Sequence, residues 1–114
     1  MQLHPIYRIT VFVPPAQLEA LKQGILAVDD LAAGCYAHGM WESAPGQEQF
    51  RVLQGAQSAI GGAGELVRVS AVRLEFCIAR DPQRLQRILD DGIAANHPWN
   101  SPAVFVDTTE FAAP

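Results

Sequence analysis

The sequence predicts an α+β fold in which two helices cover one face of a mainly antiparallel sheet. Apolar residues alternate with polar ones in the segments that we interpret as strands. Two other segments carry apolar stripes at the three- and four-residue spacing of a helix. These segments follow one another as strand, helix, strand or hairpin, strand, helix and strand. That order is the split βαβ arrangement, βαββαβ, of the ferredoxin-like sandwich.

The first predicted strand is Tyr7–Val13, and the first predicted helix is Ala16–Val28. Every second residue of the strand is apolar, which is typical of a strand with one buried face. Pro14 and Pro15 end it, because proline has no amide to donate to a ladder, whereas proline suits the first turn of a helix. The helix then presents one apolar stripe to the core, formed by Leu18, Leu21, Ile25 and Val28.

The middle of the chain is predicted to hold two short extended segments and one long strand. The short segments are 35–42 and 49–53, and the glycine-rich stretch 55–64 is expected to be a loop. The long strand, Leu66–Ile78, has its apolar residues at odd positions as far as Ala71 and at even positions afterwards. Because a regular strand cannot change the face that it buries, we expect a bulge or bend near Ala71.

The second helix is predicted to begin at Asp81 and Pro82, an N-cap followed by proline in the first turn. His97 and Pro98 end it, the last strand is predicted over 103–106, and residues 112–114 are expected to fray. With 114 residues, the chain is predicted to be one domain, 1–114, with its folded core over about 7–111. The predicted core residues are Ile9, Val11, Leu18, Leu21, Ile25, Leu74, Phe76, Leu85, Ile88, Leu89 and Val104.

Composition excludes several classes of protein. The net charge is −4 and the eight basic residues form no stripe, so a nucleic-acid partner is not expected. Apolar runs are far shorter than the roughly 20 residues of a membrane span, and no signal peptide is visible. With only two cysteines, we expect reduced thiols in a cytoplasmic protein.

Catalytic and metal-binding patterns are weak. Cys35, His38, Cys77 and His97 lie on separate predicted elements without a C-x-x-C pair, so we predict no metal site from their spacing. No nucleophile–base pair is visible, and an apolar strand disfavours the Cys77 thiolate. We therefore predict no catalytic residue and no enzyme activity. The glycines of 61–64 precede a strand rather than a helix, which argues against a phosphate cradle.

Short phrases along the chain resemble a known family. They are Phe12-Val13-Pro14, Gly34-x-Tyr36-x-x-x-x-Trp41, Gln49-Phe50-Arg51, Leu53-x-Gly55, Ile60-Gly61, Arg73-x-Glu75 and His97-Pro98-Trp99-x-x-Pro102-Ala103. In this order and spacing they resemble the small stand-alone YqfO-like proteins of the NGG-interacting-factor family. The resemblance implies a domain similar to the PII and CutA proteins, which typically assemble as trimers. The family's final motif usually carries tyrosine and two glutamates, where this chain has Trp99, Asn100 and Ser101.

These observations predict a non-enzymatic PII/CutA-like module that binds a small anionic ligand or a protein partner, and they name no cofactor. The alternatives are a divalent-metal-binding protein of CutA type and a small enzyme with a cleft between subunits. We expect a homo-oligomer, most simply a trimer. Arg51 is the strongest candidate ligand-binding residue, because its planar donor fork suits a carboxylate or phosphate. The other candidates are Gln49, Gln57, His38, His97 and Trp99; Trp99 serves either as packing in a rigid connector or as a ligand shelf.

Overall fold

The protein folds as an α+β sandwich, described for residues 1–55 and 61–114 in a computed structural model. Its elements are β1 (Gln2–Val13), a 3-10 turn (Pro15–Gln17), α1 (Leu18–Val28), β2 (Trp41–Glu42), β3 (Gly46–Arg51), β4 (Leu66–Ala79), α2 (Pro82–Arg87), a π-helical continuation of α2 (Ile88–Ala94) and β5 (Val104–Ala113). None of the helices in the described ranges combines the length and apolar character needed to cross a membrane.

The sheet has the strand order of the ferredoxin-like sandwich. β4 pairs with β1, and β1 pairs with β5, all antiparallel. On its other side β4 pairs with both β2 and β3, which therefore act as one interrupted strand. The predicted fold class is confirmed.

The core lies between the sheet and the helices. β1 and β4 turn alternate side chains toward α1 and α2, with Ile9, Val11 and Leu74 fully buried. Each predicted core residue is in the core or packs against it: Ile9, Val11, Leu21, Ile25, Leu74, Phe76 and Ile88 are buried, and Leu18, Leu85, Leu89 and Val104 are partly buried beside them. The helical spacing and the strand alternation thus identify the buried faces correctly.

The two ends of the chain are more ordered than predicted. β1 begins at Gln2, and its first residues pair with the last residues of β5, up to Ala113. The prediction of a frayed terminus over 112–114 is wrong, because each terminal segment supplies the hydrogen-bonding partner that the other needs.

The predicted extended segment 35–42 is a strand only at Trp41–Glu42. Upstream, the carboxylates of Asp29 and Asp30 accept hydrogen bonds from the amides two residues on, those of Leu31 and Ala32. Such aspartate turns compete with strand formation. The chain therefore forms a loop after α1 and first pairs with the sheet at Trp41.

The predicted irregularity lies opposite the long strand rather than within it. Glu42 pairs with Leu74, and Gly46 pairs with Ala71. Three residues, 43–45, thus face two residues of β4, which is the count of a β-bulge. β4 itself keeps its register with β1 without interruption from Val72 onward.

The apolar phase of β4 changes because its two halves are covered on opposite faces. From Val72 to Ile78 the even residues face the helices, whereas Val67 and Ala71 are buried on the other side. We call β3 together with residues 66–71 of β4 the hairpin, which extends past the end of β1, where Val13 pairs with Val72. We call the sheet face turned away from the helices the open face.

A salt bridge joins the end of α1 to α2. Nε and Nη2 of Arg84 donate to the two carboxylate oxygens of Asp29 at 2.7 and 2.8 Å. The hydrogen bonds from Arg84 lower the pKa of the Asp29 carboxyl, although its partial burial opposes this. The pair is bidentate and half-buried, the geometry in which an ion pair stabilises a fold.

We expect Leu21→Ala to lower the free energy of unfolding by about 2–5 kcal/mol, because it opens a cavity in the core. Denaturant unfolding measures the loss. The matched control is Leu53→Ala, since Leu53 is 69% exposed and its truncation should cost under about 0.5 kcal/mol. Equal losses in the two variants would contradict the position of the core.

Arg84→Met should lower the free energy of unfolding by about 1.5–3 kcal/mol at neutral pH, because it leaves Asp29 without its charged donor. The folded pKa of Asp29 is lowered, so the pair stabilises the protein above the ordinary pKa of aspartate. This contribution disappears as the pH falls through the lowered value. The difference between Arg84→Met and wild type should therefore shrink in acid, and Gln83→Met, at an exposed uncharged position of the same helix, is the control. A difference independent of pH would contradict the role of Asp29.

Candidate functional site

Gln49 and Arg51 lie on the same face of the hairpin, two residues apart on β3. Gln49 Oε1 accepts a hydrogen bond from Nε of Arg68 at 2.8 Å, across the pair of strands. Nη1 of Arg51 donates to the carbonyl oxygen of Gly64, also at 2.8 Å. Arg51 thus joins the two sides of the connection between β3 and β4, while its side chain remains exposed.

His97 lies against the end of β1, and the adjacent Trp99 lies against the other face of the hairpin. Nε2 of the His97 ring donates to the carbonyl oxygen of Phe12 at 2.7 Å, and Nδ1 accepts from the Trp99 amide at 3.1 Å. The Trp99 ring meets Phe50 edge-on, with 6.1 Å between centroids. Burial lowers the pKa of His97, while its hydrogen bond to Phe12 opposes this shift. Both residues are therefore engaged in holding the segment before β5 against the hairpin.

His38 lies far from Arg51 within one chain. Its backbone amide donates to the Asp30 carbonyl oxygen, its φ is 63°, and its side chain is exposed. It precedes β2, which pairs with residues 74–75 of β4, whereas Arg51 pairs with Leu66. Eight residues of strand correspond to about 26 Å. The candidates thus fall into three separate groups, and Gln57 lies outside the described residues.

The cysteines do not join the histidines. Cys35 is exposed in a tight turn, and Cys77 is half-buried on β4 opposite Arg8. Burial raises the pKa of the Cys77 thiol, which disfavours the thiolate. Within 1–55 and 61–114, no three His, Cys, Asp or Glu side chains are grouped closely enough to hold a metal ion.

A cleft of about 310 Å³ opens on the open face at the bulge. Its charged residues, Glu48 and Arg73, are not candidates that the sequence singles out. It is lined by Phe12, Ser43, Ala44, Gly46, Gln47, Glu48, Ala71 and Arg73.

One oxygen of the Glu48 carboxyl has no hydrogen-bond donor in the described part of the chain. Its Oε1 atom is buried and accepts no hydrogen bond there. Burial raises the pKa of Glu48, because the charged form loses solvation. A buried acceptor without a donor costs free energy, so Glu48 is an unusual feature of the cleft.

Arg73 is positioned by its neighbours but is not neutralised. Its guanidinium carbon lies 4.8 Å from the centroid of the Trp41 ring. The Ser43 hydroxyl accepts from the Arg73 amide at 2.8 Å, and the Ser43 amide donates to the Arg73 carbonyl oxygen at 3.0 Å. Among the described residues no carboxylate forms a salt bridge with it. Glu75, two residues along β4, instead accepts from the Thr10 hydroxyl at 2.8 Å.

Aromatic side chains extend the open face beyond the cleft. Phe105 of β5 contacts Phe12 edge-on at 6.3 Å between centroids. Phe105 is 58% exposed and Trp41 is 51% exposed. The helices cover the opposite face, so these rings have no covering layer within the described chain.

No family model matches the chain. Two proteins, each named GTP cyclohydrolase 1 type 2 homolog, from Mycobacterium bovis and Mycobacterium tuberculosis, are 31% identical to it over 93 residues. The match covers 82% of this chain and 24% of theirs, so the chain spans about a quarter of the length of these relatives.

Solved structures share the fold. The Bacillus cereus protein related to NIF3 matches 96% of this chain and 27% of its own, with a TM-score of 0.75 at 22% identity. CutA from Synechococcus elongatus matches over 95% of this chain and 82% of its own, with a TM-score of 0.63 at 18% identity. For Bacillus subtilis GlnK the shares are 92% and 85%, with a TM-score of 0.51 at 13% identity. The predicted resemblance is thereby confirmed: the chain is similar to one segment of these longer relatives, and it has the fold of the NIF3-related, CutA and GlnK structures.

Proposed function

We propose that this chain is a non-enzymatic, oligomeric binding module of the PII/CutA type, with the hairpin as its recognition element. The observation that carries the proposal is the exposed Arg51 guanidinium at the end of β3, on a hairpin that extends past β1. Such a hairpin reaches partners and ligands that the compact part of the sandwich does not reach.

The ligand that Arg51 suits is a small anion or an anionic group of a protein partner. Only one of its nitrogens, Nη1, is bonded to an acceptor in the described residues, the carbonyl oxygen of Gly64. That bond holds one side of an exposed guanidinium, and the planar donor fork of arginine suits a carboxylate or phosphate. A fold-sharing structure is a complex of Bacillus subtilis GlnK with ATP, which makes ATP a reasonable first probe.

Assembly into a trimer would cover the part of the open face that carries the Trp41 and Phe105 rings. The exposed Trp41 and Phe105 rings lie there beside Phe12. An exposed apolar patch of this kind on a small domain is typical of a surface that another molecule covers. The resemblance to PII and CutA proteins suggests that this molecule is a second copy of the chain.

The divalent-metal alternative has less support, because both ring nitrogens of His97 are already in hydrogen bonds. The enzyme alternative has less support, because burial raises the pKa of the Cys77 thiol and so disfavours its thiolate. We place the protein in the cytoplasm, where the free thiols of Cys35 and Cys77 would stay reduced.

Light scattering at micromolar concentration should give about three times the 12.4 kDa mass of one chain. We expect Phe105→Glu to shift the protein toward monomer, because a carboxylate would be desolvated in the contact. The control is Ala27→Glu on the exposed side of α1, which should leave the mass unchanged. A monomeric wild type would contradict the assembly.

Calorimetric titration with ATP tests the hairpin. Arg51→Ala should weaken binding at least about tenfold, since a charge-assisted hydrogen bond contributes about 1.5–3 kcal/mol. Arg51→Lys should recover only part of the loss, because lysine lacks the planar fork. Arg87→Ala, remote from the hairpin on α2, is the control. Unchanged binding of ATP to folded, oligomeric Arg51→Ala would exclude Arg51 as the anion-binding residue.

A further inference from the structure

We propose that the cleft at the bulge binds a small organic zwitterion, with Glu48 receiving its ammonium group and Arg73 its carboxylate. This inference goes beyond the function proposed above, because the cleft lies on the other face of the hairpin from Arg51. Anion binding at Arg51 and zwitterion binding in the cleft can each hold without the other.

The register places the two charges on one face. Glu48 pairs directly with Val69, and directly paired residues project to the same side of a sheet. Val69 and Arg73 are four residues apart on β4, so they also share that side. Val69 and Arg73 are about 13 Å apart along β4, and the side chains of Glu48 and Arg73 both line the cleft.

The two charges are complementary but unpaired. No salt bridge joins them, and in the described residues neither side chain has another charged partner. An ion pair between them would satisfy the buried Oε1 atom of Glu48, which the fold leaves without a donor. Because that atom is buried and burial raises the pKa of Glu48, an ammonium group in the cleft would bind there with more benefit than at a solvated carboxylate.

The contacts of Arg73 position its guanidinium to bind a carboxylate. The guanidinium carbon of Arg73 lies over the Trp41 ring, which holds one face of the guanidinium against an aromatic surface. The backbone amide and carbonyl of Arg73 are both hydrogen-bonded to Ser43, so the bulge fixes the position from which the Arg73 side chain extends. A guanidinium held in this way loses less conformational freedom when it binds than a free arginine does.

The other residues that line the cleft indicate the chemistry of the ligand between its two charged groups. Phe12, Ala44 and Ala71 are apolar, and Gly46 and Ser43 are small. This lining suits a short aliphatic chain between the two charged ends. A simple anion would be repelled by Glu48, and a simple cation would be repelled by Arg73. A divalent metal ion would find only one carboxylate among the lining residues.

An ω-amino acid series tests the proposal. Glycine, 4-aminobutanoate and 6-aminohexanoate are titrated into the full chain and followed by amide NMR shifts, with butanoate and butylamine as singly charged controls. At least one zwitterion should bind tenfold or more tightly than both controls, with shifts at Glu48, Arg73 and the bulge. The absence of any such preference would overturn the proposal.

Two variants test which residue binds each charged end of the ligand. Glu48→Gln keeps the size of the side chain and removes a buried charge, and Arg73→Gln changes an exposed residue, so both should fold. Each should weaken binding of the preferred zwitterion at least tenfold, whereas Arg51→Ala should leave it unchanged. Should one variant fail to fold, the other decides alone. Binding that is unaffected in the folded variant would overturn the proposal.

Light scattering of Glu48→Gln separates the ligand from a second copy of the chain. An unchanged mass supports a small-molecule ligand. Dissociation of the oligomer would mean that a partner subunit supplies the missing donor, and this outcome would overturn the proposal. Loss of ATP binding in Arg51→Ala bears only on the hairpin, so the two proposals fail independently.

Discussion

The set of side chains on the open face depends on one extra residue in the segment that pairs with β4. Three residues, 43–45, stand opposite two, and this offset reverses which side chains of β3 share a face with Trp41 of β2. Without it, Glu48 and Phe50 would point toward the helix side of the sheet. Pro45 fits this place because a bulge tolerates a residue without an amide donor, and Ser43 bonds both backbone groups of Arg73 across from it.

The segment before β5 stabilises the hairpin that this offset creates. Trp99 packs on Phe50, and His97 bonds the carbonyl oxygen of Phe12, one residue before β1 ends. The hairpin extends past β1 and lacks a strand neighbour on that side, so these two contacts replace part of the missing sheet. The Pro98 ring between them limits the backbone to conformations compatible with both contacts. His97 and Trp99 are thus explained by packing, whichever ligand the protein binds.

The sequence predicts the layers of this fold better than it predicts its site. Alternation in β1 and the stripes at Leu21 and Ile88 identify the buried faces, since burial of apolar area dictates them locally. The phase change at Ala71 is visible in the sequence, but its cause lies in the neighbouring segment. Register between strands is a long-range property, so Glu48 looks like an ordinary solvated loop residue until its pairing with Val69 is known.

Relatives that share this fold are expected to differ in what they bind. Identities of 18% and 13% to CutA and GlnK accompany a fold shared over more than nine-tenths of this chain. Fold retention at such identity requires only that the alternation, the helical stripes and the strand order persist. Exposed side chains on the open face and the hairpin are free of that requirement, because they lie outside the core, whereas Val67 and Ala71 are buried. The residues proposed here to bind ligands, Arg51, Glu48 and Arg73, lie outside that core, so their ligands must be measured on this chain.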